Sequence, residues 1–321
     1  MSQNRRQFVS QLATIAAGLA IAPAALAREF AAKPQFEISL AEWSLHKSLQ
    51  AKKFTNLDFP GIARKQFDIG IVEYVNQFFK DKAKDTAYLN QLLQRCKDNG
   101  VRNHLIMIDG EGGLGELDAA KRNQAVENHY QWVDAAKYLG CATIRVNAYG
   151  VGSREEVGKA AVEGLSKLGE YGAKQNINII VENHGGWSSE GTWLAGVMKQ
   201  VGMKNVGILP DFGNFCVKRA TGDLYSGKCE LEYDRYKGVQ EFLPYAKGLS
   251  AKTFEFDAAG NCIDTDYNRM LGIARKGNWS GIIGIEYEGD SLSEEAGIKK
   301  TKELLEKVGP QVGYTVKKAA A

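Results

Sequence analysis

The sequence predicts an α/β fold of the (β/α)8 TIM-barrel type, and three observations carry that prediction. Eight short apolar runs rich in β-branched residues recur roughly every 30 to 40 residues, the spacing of strand-plus-helix units. Amphipathic helical patterns fill the intervals between them. No Pro/Gly/Ser-rich linker divides the 321 residues, which hold only 6 prolines. Strands that alternate with helices favour a parallel sheet, and eight such units favour its closure into a barrel over an open doubly wound sheet.

The expected strands are Phe36 to Ser44, Ile71 to Asn76, Asn103 to Asp109 and Thr143 to Ala148, followed by Ile177 to Asn183, Val206 to Asp211, Lys247 to Thr253 and Ile282 to Glu288. Between the second and third, Leu89, Leu92, Leu93 and Cys96 repeat at helical spacing before Gly100, a residue suited to end a helix. Val126, Tyr130, Val133 and Ala136 repeat likewise before Gly140. Leu304, Leu305 and Val308 form the stripe of the last helix, which Gly309-Pro310 is expected to stop. Gly110, Gly112 and Gly115 spell a GxGxxG pattern, but it follows the third strand and its helix starts only near Asp118. A barrel loop explains it better than a dinucleotide site.

Residues 1–27 read as an export leader. Arg5 and Arg6 precede an apolar stretch from Phe8 to Ala22 that ends in the small-x-small site Ala25-Leu26-Ala27. That stretch falls short of the ~20 residues a membrane-spanning helix needs, so no stable membrane anchor is expected. The Asn4-Arg5-Arg6-Gln7-Phe8-Val9 string resembles the twin-arginine motif, which implies the twin-arginine export machinery as a partner and a periplasmic or secreted protein of residues 28–321. Loss of the leader lowers the formal charge from +3 to +1, which leaves no electrostatic footprint for nucleic acid. The 5 cysteines are widely spaced and form no dense framework; they read as packing residues or free thiols with room for one disulfide. A homo-oligomer is compatible with this composition.

Three acids close apolar runs: Glu182 in NINIIVENHGG, Asp211 in VGILPDFGNF and Glu286 in SGIIGIEYEG. A carboxylate at the end of a buried strand is costly without a purpose, and a barrel mouth gathers strand ends into one site. Their hard oxygens suit Mg²⁺ or Mn²⁺, with Co²⁺ and Zn²⁺ as alternatives. His184 lies two residues beyond Glu182 and shares its side of the strand. Lys252 is placed to face a developing oxyanion. Asn147, Trp43 and His46 complete the expected substrate-binding set.

With these residues laid out, the chain resembles the sugar phosphate isomerase/epimerase family of xylose isomerase-like TIM barrels. The likeness runs through SLAEWSLH, DIGIVEYVNQFF, IRVNA, VENHGG, LPDFGNF and IEYEG in that order. It implies a divalent metal held by Glu, Asp, His and Glu at the ends of strands five to eight. Glu182, Asp211 and Glu286 match three of these positions, while Ser250 stands where the His is expected and Asn214 replaces a second family His. The resemblance also implies that Glu182 and Glu286 are an acid/base pair. They would abstract and return a proton beside the carbonyl of a small carbohydrate, giving a sugar isomerase or epimerase. A lyase acting on 3-keto-glycosides and a non-catalytic periplasmic sugar-binding protein are the alternatives.

Overall fold

Each of the eight apolar runs forms a strand, because its β-branched side chains pack on a pleated surface buried from both faces. The computed structural model describes residues 33–317, so the predicted leader, residues 1–27, lies outside the described residues. The strands are β1 (Gln35–Ala41), β2 (Ile71–Val75), β3 (Arg102–Met107), β4 (Thr143–Val146), β5 (Asn178–Glu182), β6 (Val206–Leu209), β7 (Cys216–Arg219), β8 (Cys229–Glu232), β9 (Leu249–Thr253), β10 (Gly281–Tyr287) and β11 (Thr315–Lys317). The main sheet runs β6-β5-β4-β3-β2-β1-β10-β9, and every pairing along it is parallel. Isolated parallel bridges, Ile208 to Ala246 and Asp211 to Ser250, join β6 to β9 and close the barrel.

The helices are α1 (His46–Gln50), α2 (Phe59–Phe67), α3 (Thr86–Asn99), α4 (Ala119–Leu139), α5 (Arg154–Gln175), α6 (Gly191–Val201), α7 (Arg235–Phe242), α8 (Tyr267–Lys276) and α9 (Glu294–Gln311). Side-chain caps start most of the long ones: Asp85, Asp118, Ser153, Asp234, Asp266 and Ser293 each accept backbone N–H groups of the first turn. These caps fix where six of the loops that lead into helices end. The last helix runs slightly past expectation, through Pro310 to Gln311: Pro310 forfeits its own ladder hydrogen bond, and the helix ends one residue later. Two further features lie outside the eight expected strands. The short strands β7 and β8 form an antiparallel hairpin after β6, and β11 adds to the start of β1.

Outward-facing residues such as Ile106, Ile144, Ile179, Ile208 and Ile283 pack on the helices in one continuous core. Inside the barrel, Ala41, Val75, Leu105 and Met107 form a smaller apolar plug against Trp43 and Phe78. Polar residues share that interior: Ser39, Glu73, Arg145, Glu182 and Ser250 are all buried there.

Gly115, the last glycine of the GxGxxG stretch, serves close packing of two loops, its Cβ position lying against the carbonyls of Ala148 and Tyr149. A side chain at Gly150 would land on the carbonyl of Gly115, whose own N–H donates to Tyr149 O at 3.0 Å. Gly150→Ala is therefore expected to lower stability by about 1–3 kcal/mol. Gly196, in α6 with open space around it, is the contrasting case: Gly196→Ala is expected to raise stability by roughly 0.5–1 kcal/mol. Urea unfolding of the two variants checks both signs, and a neutral Gly150→Ala would contradict the interlocked loops.

Candidate functional site

Parallel register brings the strand-end acids to one level. Glu286 pairs with Lys252 across β10 and β9, and Asp211 bridges to Ser250 across β6 and β9. One carboxylate oxygen each from Glu182, Asp211 and Glu286 lies within 4.8 Å of the others, and all three residues are buried. Among the described residues no histidine or cysteine joins this group.

Each acid is held by specific partners. Asp211 Oδ1 accepts the backbone N–H groups of Gly213 (2.8 Å) and Asn214 (2.9 Å), while its Oδ2 accepts Ser250 Oγ at 2.7 Å. Ser250 Oγ also lies 3.3 Å from Glu286, but its one proton serves the shorter bond. Asn183 clamps the end of β6 from both sides. It accepts Asp211 N–H at 2.7 Å and donates to the carbonyls of Asp211 and Asn214 at 3.0 Å. Asn214 Nδ2 donates to Glu182 Oε1 at 3.0 Å. Thus Ser250 and Asn214, at the two positions where the resemblance expects histidine, orient carboxylates by donating to them.

Two cations enter the cluster. Lys252 Nζ lies 3.0 Å from Glu286, 2.8 Å from Glu288 and 4.0 Å from Asp211. Arg145, which sequence reasoning missed, donates to Asp109 at 2.6 Å and approaches Glu182 Oε2 to 2.8 Å through Nε. That second contact is an ion pair by distance only: the N–H is not aimed at the oxygen, so both atoms are buried without a hydrogen bond. A signal for Arg145 existed, since Thr143, Arg145 and Asn147 point to one side of an otherwise apolar strand.

Burial splits the acids into two populations. It pushes Glu182 and Glu286 above the usual carboxylate range, with Arg145 and Lys252 only partly offsetting it for Glu182 and Lys252 for Glu286. Asp211 rises to about 6 for the same reason. For Glu288 and Asp109 burial is outweighed, by Lys252 and Arg145 respectively, and both are held down to about 2.

The His184 ring makes its hydrogen bond to Asn147. Asn147 Nδ2 donates to Asp109 (2.7 Å) and to the Ile108 carbonyl (3.3 Å), so its Oδ1 must be the atom 3.2 Å from His184 Nδ1. His184 therefore donates from Nδ1 and keeps a lone pair on Nε2. Burial, then the charges of Arg145 and Lys252, lower it to about 4, which makes it neutral at pH 7. Trp43 and His46 stack on each other at 4.7 Å in the turn after β1, and Phe78 lies 6.1 Å from Trp43. His46 is held by a 2.7 Å hydrogen bond to the Trp43 carbonyl and makes none to the acid cluster.

On this structure's own terms the cluster fits a divalent cation. It offers an orphaned carboxylate oxygen on Glu182, and Asp109, Glu182, Asp211, Glu286 and Glu288 outnumber Arg145 and Lys252.

A closed eight-stranded barrel with buried Glu and Asp at its strand ends defines a class of protein, and comparison agrees. The chain belongs to the xylose isomerase-like TIM barrel family, whose model matches residues 64–308. Among solved structures it is similar to the IOLI protein with a bound zinc atom, at TM-score 0.65 and 14% identity, covering 85% of this chain and 98% of that one. A D-psicose 3-epimerase crystallised in the presence of D-fructose gives TM-score 0.62 and 13% identity, covering 84% and 98%. The 3-keto-D-glucoside 4-epimerase YcjR from E. coli gives 0.63 and 11%, covering 85% and 100%. At these identities the likeness is one of fold. No curated protein matches the chain by sequence.

The buried acids also set a pH dependence in the metal-free protein. Burial raises Glu42 to about 8 and Glu73 to about 7, so the native state keeps protons that the unfolded chain releases near pH 4.5. Stability then falls as pH climbs toward those values. His104 and His184, both near 4, act in the opposite sense, but only up to pH 6.5, where the unfolded chain loses its histidine protons. Between pH 6.5 and about 8 the acids prevail, and urea unfolding should show stability falling. Glu42→Gln should fall less over the same interval, and a wild-type protein more stable at pH 8 would contradict the assignment.

Proposed function

We propose that the protein is a metal-dependent sugar isomerase or epimerase that moves a proton beside a carbonyl. The observation that carries this reading is the group of three buried acids whose oxygens lie within 4.8 Å of one another at the barrel mouth. Glu182, Asp211 and Glu286 would hold the ion, and their all-oxygen donor set favours Mg²⁺ or Mn²⁺. A divalent ion bound there supplies Lewis acidity to a sugar carbonyl and its neighbouring hydroxyl.

The chain's own residues do the rest. Glu182 and Glu286, on strands separated around the barrel and both with raised proton affinity, serve as the pair that takes and returns the α-proton. Asn214 fixes Glu182 and Lys252 fixes Glu286, so each carboxylate meets the sugar in one orientation. The Lys252 ammonium stabilises negative charge developing on oxygen. His184 Nε2 accepts from a sugar hydroxyl, with Asn147 setting its tautomer. Trp43 and His46 offer a flat stacked surface at the rim.

The similarity to a 3-keto-D-glucoside 4-epimerase favours a keto-glycoside as one substrate class. The same base would then expel a β-leaving group, which makes a lyase the second reading. Export is supported by the leader pattern in residues 1–27 and by the disulfide between Cys216 and Cys229, a bond that persists in oxidising compartments. An exported enzyme meets free sugars and glycosides rather than sugar phosphates. No helix among the described residues is long and apolar enough to cross a membrane.

Incubation of the Mn²⁺-supplied protein in D₂O with D-fructose, D-tagatose or a 3-keto-glucoside tests the proposal. Deuterium should appear on the carbon next to the carbonyl, and Glu182→Gln or Glu286→Gln should each slow its entry by about 10²–10⁴-fold. A released aglycone would select the lyase reading. Binding of these sugars without any exchange would reduce the protein to a sugar-binding module.

A further inference from the structure

The hairpin of β7 and β8 projects from the strand-six end of the barrel between β6 and α7. It has little core of its own: most of its strand residues are partly or fully exposed, and Leu231 is 54% exposed. A two-stranded hairpin of this kind is marginal by itself. Cys216 and Cys229 tie its strands together covalently.

Its tip is nevertheless held in one shape. Asp223 Oδ1 accepts the N–H groups of Tyr225 and Ser226, both at 2.7 Å, and Thr221 Oγ1 donates to the Ser226 carbonyl at 2.7 Å. From β7, Arg219 donates to the carbonyls of Leu224 (3.2 Å) and Gly227 (2.9 Å). This tip rests on the VENHGG motif of β5. Gly185, at φ +85°, has the Leu224 carbonyl 2.5 Å from where a Cβ would stand, and Gly186 has Leu224 Cδ2 at 2.9 Å. The paired glycines of the motif are thus the seat of the hairpin. Next to that seat, the Tyr225 ring lies 4.7 Å from the His184 ring while the residue remains 50% exposed.

We propose that the hairpin is a disulfide-latched cover on the barrel mouth, with Tyr225 as the side chain that closes the pocket over His184. The latch opens by exchange with an external dithiol. That dithiol passes two electrons and two protons to the Cys216–Cys229 bond and becomes a disulfide itself, leaving two thiols in the protein. The released strands then lose the geometry that holds the tip on Gly185 and Gly186, and the mouth opens. Oxidation by an external disulfide closes it again. In this arrangement a chain held reduced presents an open site, and one that reaches an oxidising compartment presents a covered one.

Carbethoxylation of His184 by diethyl pyrocarbonate, mapped peptide by peptide with mass spectrometry, tests the cover without any sugar. The folded protein is compared before and after treatment with dithiothreitol, beside Tyr225→Ala, Tyr225→Phe and the double variant Cys216→Ser/Cys229→Ser. His184 should react slowly in the oxidised protein and in Tyr225→Phe. It should react about fivefold faster or more after reduction, in Tyr225→Ala and in the double variant, with His46 unchanged as the internal reference. Equal His184 rates in oxidised and reduced protein would overturn the latch. A matching rise at His46, His104 and His129 would also overturn it, since it would report general loosening. The readout needs no substrate, so failure of the latch and failure of the sugar reading are distinguishable.

Discussion

Burying more negative than positive charge at the end of a barrel is the constraint on which the rest of this structure depends. Five carboxylates, from Asp109, Glu182, Asp211, Glu286 and Glu288, meet two cations, Arg145 and Lys252. Water has been stripped from most of them, and an unpaired buried charge costs several kcal/mol. The fold meets this in layers. Backbone N–H groups and Ser250 satisfy Asp211, Asn214 satisfies one oxygen of Glu182, and Lys252 reaches three acids at once. What remains is an excess of negative charge and one orphaned oxygen on Glu182. The same burial that makes the cluster expensive raises the proton affinity of Glu182 and Glu286, while the cations keep Glu288 and Asp109 ionised. Acids of one chemical type thereby take different roles.

The site is an oxygen site by construction. Where the resemblance expects imidazole nitrogens, Ser250 and Asn214 present a hydroxyl and an amide, and both are turned to donate to the acids. They fix carboxylate orientation, which a metal centre needs as much as it needs ligands. His184 stands nearby but belongs to a second chain of hydrogen bonds, through Asn147 to Asp109 and Arg145.

Much of this was legible in the sequence, for identifiable reasons. The barrel showed because β-branched runs recur at the length of a strand and a helix. Glu182, Asp211 and Glu286 showed because each breaks such a run at its end, and the structure brings these three together. Lys252 and Asn147 showed by the same logic of strand ends. Arg145 did not, although it sits inside a strand where a charge is as anomalous as a terminal acid. Tyr225 and the hairpin were not legible: the strands are only four residues each, and a disulfide pairing cannot be deduced from cysteine spacing. The stacking of Trp43 on His46 was not legible either, since it depends on how the turn after β1 folds back.

Calorimetric titration of Mn²⁺ into chelator-treated protein, alongside Asp211→Asn, tests the central claim most directly. Binding of a single ion per chain by the wild type, with affinity lost in the variant, is the result this charge balance predicts. No binding to the wild type, or equal binding by Asp211→Asn, would contradict it and show that Lys252 and Arg145 are all the positive charge the mouth requires.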